Sequence, residues 1–430
     1  MKRALFVGAI VVFVIGFIVL LVRFRVEELK DNSATPATDA PEPEEAARIQ
    51  PGYIYGRVVT NDGDTYEGRL RWGGDQEASW GDYFNGTKAD NPWLASVPPG
   101  KLPTRPNSVQ VFGLVLVHRE VPIDTDRRFM ARFGDIARID AKERDVRVTM
   151  KSGTAFNLDR MDASDFDDGV RVWDSTRGVL DLDSAQIKSI ELLPSTGPIA
   201  AAGRLHGTVQ TARGDFTGFV QWDREECVGS DKLDGSANGR KLSVRFDTIR
   251  SIARQTRNSS LVTLVDGREL VLSGTNDVGN GNRGVYVDDP RYGRVLVSWR
   301  AFLRLDLSPA GSGPAYRDFP PGRPLTGSVT TRDGRQLAGR LVYDLDESET
   351  TETLDAPLEG LDYTIPFGMI ASIVLPDRVT LRNGEQLQLE RSADLGERNA
   401  GILIFVDGGQ HPEYVPWTEV AQIVFDHEPA

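Results

Sequence analysis

The sequence predicts an all-β protein in which three tandem repeats, each made of two half-units, follow one N-terminal transmembrane helix. The first observation is that 43 glycines and 24 prolines separate short apolar runs, a pattern typical of strands joined by turns. The second is that two hairpin motifs each occur three times, which indicates internal duplication. The third is the scarcity of apolar stripes of period 3.6 after residue 25, from which we expect few helices.

Residues 1–25 are predicted to be a transmembrane signal anchor. Within them, residues 4–22 form an uncharged apolar run of 19 residues, which as a helix spans about 28 Å, or one hydrocarbon core. Arg23 and Arg25 follow directly, and no small-residue cleavage site comes close behind, so we expect the anchor to stay uncleaved. Residues 26–51 are rich in Ala, Pro, Thr and Glu and are predicted to be a disordered tether.

The protein is predicted to be a single-pass protein of the inner (cytoplasmic) membrane, with its C-terminal body in the periplasm. An acidic body, a single cysteine and only three residues ahead of the span favour export of the body. Because Lys and Arg are nearly balanced across the span, the charge rule does not fix the orientation. A body that faces the cytosol therefore stays open as the alternative.

The charge of the chain argues against a nucleic-acid partner. The formal net charge is −13, and residues 1–30 carry +3, so the rest of the chain carries −16. A phosphate backbone is bound mainly through clustered Lys and Arg, which an acidic body does not provide. Cys227 is the only cysteine, which excludes an intrachain disulfide and a cysteine-based zinc site, and no cofactor is predicted.

The first half-unit of each repeat has the pattern of a hairpin that is followed by a short helical turn. Apolar and polar residues alternate on both sides of a turn glycine. The three turn glycines are Gly63, Gly214 and Gly334. Each copy then reaches an acidic stretch and closes on F-x-x-I-x-x-I, whose spacing of three fits one 3₁₀ turn with an aromatic side chain at the barrel end. The three aromatic residues are Phe133, Phe246 and Phe367.

The second half-unit repeats a V-T-x-x-x-G hairpin and a closing signature of the same spacing. The hairpins begin at Val148, Val262 and Val379. Two copies close on a tryptophan, Trp299 or Trp417, whereas the first copy has Ser184 there. Stretches rich in Pro and Gly separate the repeats. They place repeat one at 52–193, repeat two at 204–308 and repeat three at 325–426.

The hairpin, acidic stretch and closing signature of these half-units resemble SH3-like and Sm-like small β-barrels. The resemblance implies that each half-unit is a five-stranded, strongly bent sheet. It does not extend to RNA binding, because the RNA-contacting loops of that family need basic and stacking residues. Here the corresponding stretches hold acids such as Asp223 and Asp344.

No motif of known chemistry is found in the chain. A nucleophile elbow, Walker loop, dinucleotide fingerprint, HExxH motif and kinase signature are all missing from the sequence, so we predict no catalytic residue and no metal site. One acidic position does recur in the second half-units, as Asp165, Asp277 and Asp394. We expect this Asp to bond the backbone of its own loop, with calcium binding as the alternative.

Repeat one contains an insertion, residues 78–128, that breaks the repeat pattern. Its apolar run at 109–117 is predicted to be one added strand. Its aromatic and amide side chains are candidates for binding a ligand, because rings supply contact area and polar tips orient the ligand. The candidates are Trp80, Tyr83, Phe84, Asn85 and Trp93. The alternative is that Trp80 and Trp93 cover the end of repeat one that lacks a closing aromatic residue.

These observations predict a membrane-anchored, extracytoplasmic scaffold or protein-interaction protein that is not an enzyme, with a protein of the cell envelope as its partner. Tandem β units offer extended surfaces and sheet edges to which a partner strand can add. The alternative is a cell-wall or glycan-binding protein that uses the aromatic insertion. An enzyme with paired carboxylates at a repeat interface stays open as well, and it would require a concave pocket with two carboxylates of perturbed pKa.

Overall fold

Antiparallel sheets make up the described part of the chain, as the sequence predicts. This computed structural model describes residues 52–426 apart from the short stretches 74–75, 103, 112–113, 123–126, 143, 161–162, 196–202, 312 and 407. The predicted anchor and tether, residues 1–51, lie outside the described residues. Within the described ranges, no helix is long and apolar enough to span a membrane.

Repeat one forms a ten-stranded sheet and a separate two-stranded hairpin. Its strands are β1 (Tyr55–Thr60), β2 (Thr65–Trp72), β3 (Tyr83–Lys88), β4 (Thr104–Val111), β5 (Leu114–Pro122), β6 (Arg127–Arg132), β7 (Ile136–Ala141), β8 (Asp145–Met150), β9 (Ala155–Asp159), β10 (Val170–Asp174), β11 (Gly178–Leu182) and β12 (Ile187–Leu192). The hydrogen-bonded order of the sheet is β11-β10-β2-β1-β12-β7-β8-β9-β3-β6, and β4 pairs with β5 outside it. A short helix, α1 (Ser164–Asp167), leads into β10.

Repeat two builds the same ten-stranded arrangement. Its strands are β13 (His206–Thr211), β14 (Gly214–Gln221), β15 (Lys232–Ala237), β16 (Arg240–Arg245), β17 (Ile249–Thr256), β18 (Ser259–Leu264), β19 (Glu269–Ser273), β20 (Val285–Asp289), β21 (Gly293–Val297) and β22 (Phe302–Leu307). Their order is β21-β20-β14-β13-β22-β17-β18-β19-β15-β16. When the strands are counted along each repeat, leaving out the inserted β4 and β5, this is the order of repeat one.

Repeat three departs from that arrangement at one hairpin. Its strands are β23 (Thr326–Thr331), β24 (Gln336–Val342), β25 (Thr353–Leu358), β26 (Leu361–Pro366), β27 (Ile370–Val374), β28 (Arg378–Leu381), β29 (Gln386–Gln388), β30 (Ile402–Val406), β31 (Glu413–Val415) and β32 (Val420–Phe425). Eight of them form a sheet in the order β29-β28-β27-β32-β23-β24-β30-β31. The hairpin β25–β26 instead extends the sheet of repeat two, where β26 pairs with β21.

In each sheet, strands of the first half-unit lie next to strands of the second. The half-units therefore do not form separate sheets. In repeat one, the hairpin β1–β2 of the first half lies between β10 and β12 of the second half. The hairpin β3–β6 continues the sheet from β9. A lone hairpin is only marginally stable in water. Each hairpin is stabilised here by pairing with strands of the other half-unit. In repeats one and two, strands of both half-units therefore build one sheet.

The predicted turns are confirmed. The three turn glycines of the first half-units all have positive φ, between 89° and 131°, which glycine adopts without a steric penalty. Each first half-unit closes on a 3₁₀ turn that begins with the predicted, fully buried phenylalanine. These turns are Phe133–Asp135, Phe246–Thr248 and Phe367–Met369.

The insertion of repeat one differs from the prediction in two ways. The predicted range 78–128 is too long, because β3 lies within it and has a counterpart in β15 and in β25, and the insertion holds two strands where one was predicted. The apolar run at 109–117 is divided between β4 and β5, which pair with each other as a hairpin. A glycine inside a strand pattern can signal a break between strands, and the apolar residues on both sides outweighed that signal. The preceding segment, residues 92–102, packs through Val97 and Trp93 against an apolar patch of repeat three that includes Leu345 and Phe405.

Candidate functional site

A polar cavity of about 470 Å³ lies between repeat one and repeat three. The ends of β3 and β6 form one wall, and the turn after β24 together with β25 forms the other. Seven acidic and four basic side chains line it. The acids are Asp344, Asp346, Glu347, Glu349, Glu352, Asp355 and Asp394, and the bases are Lys88, Arg127, Arg128 and Arg398. Its volume lies in the range of ligand-binding pockets.

Buried ion pairs across this cavity join the two repeats. The Lys88 ammonium lies 2.9 Å from a carboxylate oxygen of Asp346 and 2.9 Å from one of Glu352. The Arg127 guanidinium lies 3.1 Å from a carboxylate oxygen of Asp344. Both bases come from repeat one and all three acids from repeat three, so these charges connect the repeats.

Burial dominates the protonation of the acids in this cavity. Removal from water raises the pKa of Asp344 to about 7, even though Arg127 and a backbone N–H oppose the shift. Burial likewise raises the pKa of Glu347 and of Asp394 well above the ordinary range, and neighbouring carboxylates add to it. Burial disfavours the charged form of Lys88, but Glu352 and Asp346 outweigh it and raise the pKa of the ammonium.

The cavity is a concave pocket that contains carboxyl groups of perturbed pKa. These are the two features that an enzyme with paired carboxylates would require. The acids of the cavity outnumber its bases, so it can hold protons, water or a cationic group. Its two buried bases are already bonded to carboxylates of repeat three. Among the described residues, no three His, Cys, Asp or Glu side chains are placed to hold a metal ion.

One acid that the sequence interpretation missed recurs at the repeat interfaces. It precedes the third strand of each repeat and accepts two backbone N–H groups of the turn before it, at 2.6 to 3.0 Å. The three copies are Asp82, Asp231 and Glu352. Asp82 also contacts Arg204 of repeat two at 3.1 Å, as Glu352 contacts Lys88 of repeat one. Its constant position before this strand was the available signal.

The recurrent acid of the second half-units has a structural bond in every repeat. Its carboxylate accepts the backbone N–H of a residue in β3, β15 or β25, at 2.6 to 2.8 Å. The backbone carbonyl of each acid accepts a hydrogen bond from an indole N–H or a phenol O–H. The donor residue lies at the end of the second strand of the repeat or directly after it. The three acids are Asp165, Asp277 and Asp394. The bonded backbone lies on a strand, which differs from the predicted bond within the loop, and calcium binding stays a prediction.

The aromatic residues of the insertion face two different repeats. Trp80 is 7 % exposed and packs against Phe219 of repeat two, with ring centroids 3.8 Å apart and the ring planes tilted by 35°. Trp93 packs against Phe405 of repeat three, at a centroid distance of 6.1 Å. The two tryptophans belong to separate apolar clusters, so the structure does not join them in one surface.

The other three candidates lie on β3. Tyr83 and Phe84 are buried, and the Phe84 ring packs edge-on against Trp72 in the core of repeat one. The Asn85 amide donates a 2.8 Å hydrogen bond to the Asp165 carboxylate. Ligand binding by these residues stays a prediction, and any ligand would have to reach side chains that already have protein contacts.

The sheet edges are the second kind of candidate site. β26 pairs with the outer edge of β21 over four residue pairs, between Arg294 and Val297 on one side and Leu361 and Thr364 on the other. β11 and β21 are equivalent strands, the ninth of repeat one and the ninth of repeat two when the inserted β4 and β5 are left out. β16 and β26 are equivalent in the same way, as the fourth strands of repeats two and three. Within the described residues, both β11 and β16 end a sheet and have one paired neighbour each.

Raised carboxyl pKa values predict that the folded state becomes more stable as the pH falls from about 8.5 to about 6. Burial raises the pKa of Asp344 and of Asp288 to about 7, and that of Glu226 to about 8. Since the unfolded chain has ordinary values, the folded state binds more protons in this window, and the stabilisation is lost as the pH rises through 7 to 8. Thermal melts at constant ionic strength should show a higher melting temperature at the lower pH.

A variant identifies the source of this pH dependence. Glu226→Gln removes a group that burial gives a pKa of about 8, so it should flatten the slope above pH 7. A melting temperature that falls steadily on acidification towards pH 6 would contradict the prediction.

Comparison with known proteins gives no relative from which a function can be transferred. No family model, no curated protein and no solved structure matches the chain.

Proposed function

We propose that the protein is a non-enzymatic, membrane-anchored scaffold that binds a protein of the cell envelope through the edges of its sheets. Residues 4–22 hold it in the inner membrane, residues 26–51 lift the body away from the bilayer, and the body lies in the periplasm. In this proposal each run of five neighbouring strands acts as an SH3-like small barrel, such as β11-β10-β2-β1-β12 and β7-β8-β9-β3-β6 in repeat one. The acidic charge of the body argues for a protein rather than a nucleic-acid partner.

One observation supports the proposal above all, the addition of β26 to β21. A strand at the edge of a sheet has a row of unpaired N–H and C=O groups, which another strand can satisfy. Main-chain hydrogen bonds then supply affinity, and alternate side chains supply specificity. The protein therefore already uses strand addition to join two of its own repeats.

The edge of β11 is the best-placed site for a partner strand. It corresponds to the edge that β26 covers in repeat two, and within the described residues no strand pairs with its outer side. Val179 on this strand is 58 % exposed, among the most exposed large apolar side chains described. An added strand would remove this side chain and the backbone groups beside it from water, which favours association.

Photo-crosslinking in intact membranes tests the proposal. A photoreactive amino acid in place of Val179 in the full-length protein is expected to capture a protein. Val424 is the matched control position, because it is 40 % exposed but is paired on both sides of its strand β32, with Ser328 of β23 and Ser372 of β27. Equal capture at both positions, or no capture at either, would contradict a binding role for the β11 edge.

A further inference from the structure

We infer that β11 of one molecule pairs with β16 of a second copy, so that molecules join head to tail. The inference rests on the proposed function, because it names the strand that adds to the free edge. It is drawn from the contact between β21 and β26 that repeats two and three make within one chain.

The two intramolecular strands are a close template for the two free ones. β21 and β11 both follow a hairpin turn that ends at a glycine of positive φ, Gly293 or Gly178. β26 and β16 both follow a two-residue turn in which both residues have positive φ, Glu359–Gly360 or Asn238–Gly239. Such turns impose the same hairpin twist, so β16 can approach an edge as β26 does.

Transfer of the observed register brings compatible side chains together. The first residues of the strands correspond, Gly178 of β11 to Gly293 of β21 and Arg240 of β16 to Leu361 of β26. With this correspondence the observed register places Asp181 opposite Lys241 and Leu180 opposite Leu242. Both leucines are half-buried, and both charged residues are exposed. The same register sets Val179 opposite Ser243 and Leu182 opposite Arg240. Successive pairs alternate between the two faces of the joined sheet, so the two leucines meet on one face and Asp181 meets Lys241 on the other.

Charge selects this pairing over the pairing of identical strands. β16 contains Arg240, Lys241 and Arg245, whereas β11 contains Asp181 and is followed by Asp183. Opposite charges on directly opposed residues stabilise a strand pair, and like charges destabilise it. The Asp181 carboxylate already pairs with Arg171 of β10 at 2.7 Å, but it is 68 % exposed and can also face a base on an added strand. Two copies of β16 would instead bring bases against bases, so β11 is the favoured partner.

The consequence is an assembly that propagates. Each molecule has one β11 edge and one β16 edge, so a head-to-tail contact leaves one of each free at the two ends. Heterologous contacts of this kind produce rings if the rotation closes and open chains if it does not. Tethering to a membrane confines the molecules to a surface, where such a contact forms at low total concentration.

Cysteine crosslinking tests the strand pair directly. Val179 and Ser243 are exposed and lie opposite each other in the transferred register, and the single native cysteine, Cys227, is fully buried. Full-length Val179→Cys and Ser243→Cys proteins, each purified in detergent, should form a disulfide-linked dimer only when they are mixed under oxidation. A dimer in either single sample, or none in the mixture, would overturn the inference.

Charge reversal supplies a second measurement that does not depend on disulfide geometry. D181K and K241D are each expected to weaken association at least about fivefold in sedimentation velocity, because each sets like charges opposite one another. The mixture of the two variants should recover association, since the unaltered β11 of K241D can then pair with the unaltered β16 of D181K, and the two altered strands also present opposite charges to each other. Equal melting temperatures of the variants and the parent protein exclude unfolding as the cause.

The outcomes separate the inference from the proposed function. If Val179 captures a different protein and the mixed cysteine variants stay monomeric, the scaffold proposal stands and self-association is wrong. If Val179 captures a second copy and the charge-reversal mixture recovers association, both are supported. If Val179 captures nothing and no disulfide forms, both fail.

Discussion

Replacement of Gly218 by alanine is expected to lower the free energy of unfolding by about 3 kcal/mol or more. Gly218 lies in β14, where the neighbouring strand β20 passes close to its Cα. A Cβ atom on Gly218 would lie 1.9 Å from the carbonyl oxygen of Asp288. That oxygen belongs to the backbone, so the clash can be relieved only if β20 moves and its hydrogen bonds to β14 are distorted.

The comparison variant is Gly311→Ala. A Cβ on Gly311 would meet no atom within 4 Å, and its φ is not in the left-handed region. This substitution should therefore leave the melting temperature of the full-length protein almost unchanged, whereas Gly218→Ala should lower it by several degrees. Gly68 and Gly339 have the same place in repeats one and three. A Cβ atom on them would lie 1.9 Å and 2.2 Å from a backbone oxygen, so their alanine variants should behave alike. Equal melting temperatures for Gly218→Ala and Gly311→Ala would show that close strand approach does not explain the recurring glycine.

These glycines show which part of the fold the sequence predicts. Alternation around a turn glycine such as Gly214 is a local signal, and it correctly located the hairpins. The reason for Gly218 is not local, because the carbonyl of Asp288 that excludes a side chain comes from a strand 70 residues further along the chain. The interleaving of the half-units was missed for the same reason, since strand order depends on pairings between distant segments.

The candidate site was predicted less well than the fold. Trp80 and Trp93 were singled out as aromatic residues in an insertion, and the structure places each against a different repeat. Lys88 was not singled out at all, because it meets Asp346 and Glu352 only after repeats one and three come together. A single lysine in an alternating strand reads as a solvent-facing residue, and no feature of the sequence indicates its burial.

Replacement of Lys88 by methionine is expected to cost about 3 to 5 kcal/mol of folding free energy at pH 8, because it leaves buried carboxylates without their cation. Methionine keeps much of the apolar stem, so the loss reports mainly on charge. The matched control is Arg57→Met on the surface of the same sheet. Arg57 pairs with Glu67 and Glu191, but its side chain is 44 % exposed, and its loss should cost less than about 1 kcal/mol.

The pH dependence of this loss distinguishes an unpaired charge from lost packing. Burial already raises the pKa of Asp346 against the pull of Lys88, so removal of the ammonium raises that pKa further. The folded Lys88→Met protein therefore takes up a proton that the unfolded chain does not, and the deficit relative to the parent protein should shrink as the pH falls from 8 to 6. Urea denaturation of both proteins at the two pH values measures this difference. A deficit that is the same at both would mean that Lys88 acts through contacts other than those with the carboxylates, such as the contact of its ammonium with the Phe156 ring, whose centroid lies 4.7 Å away.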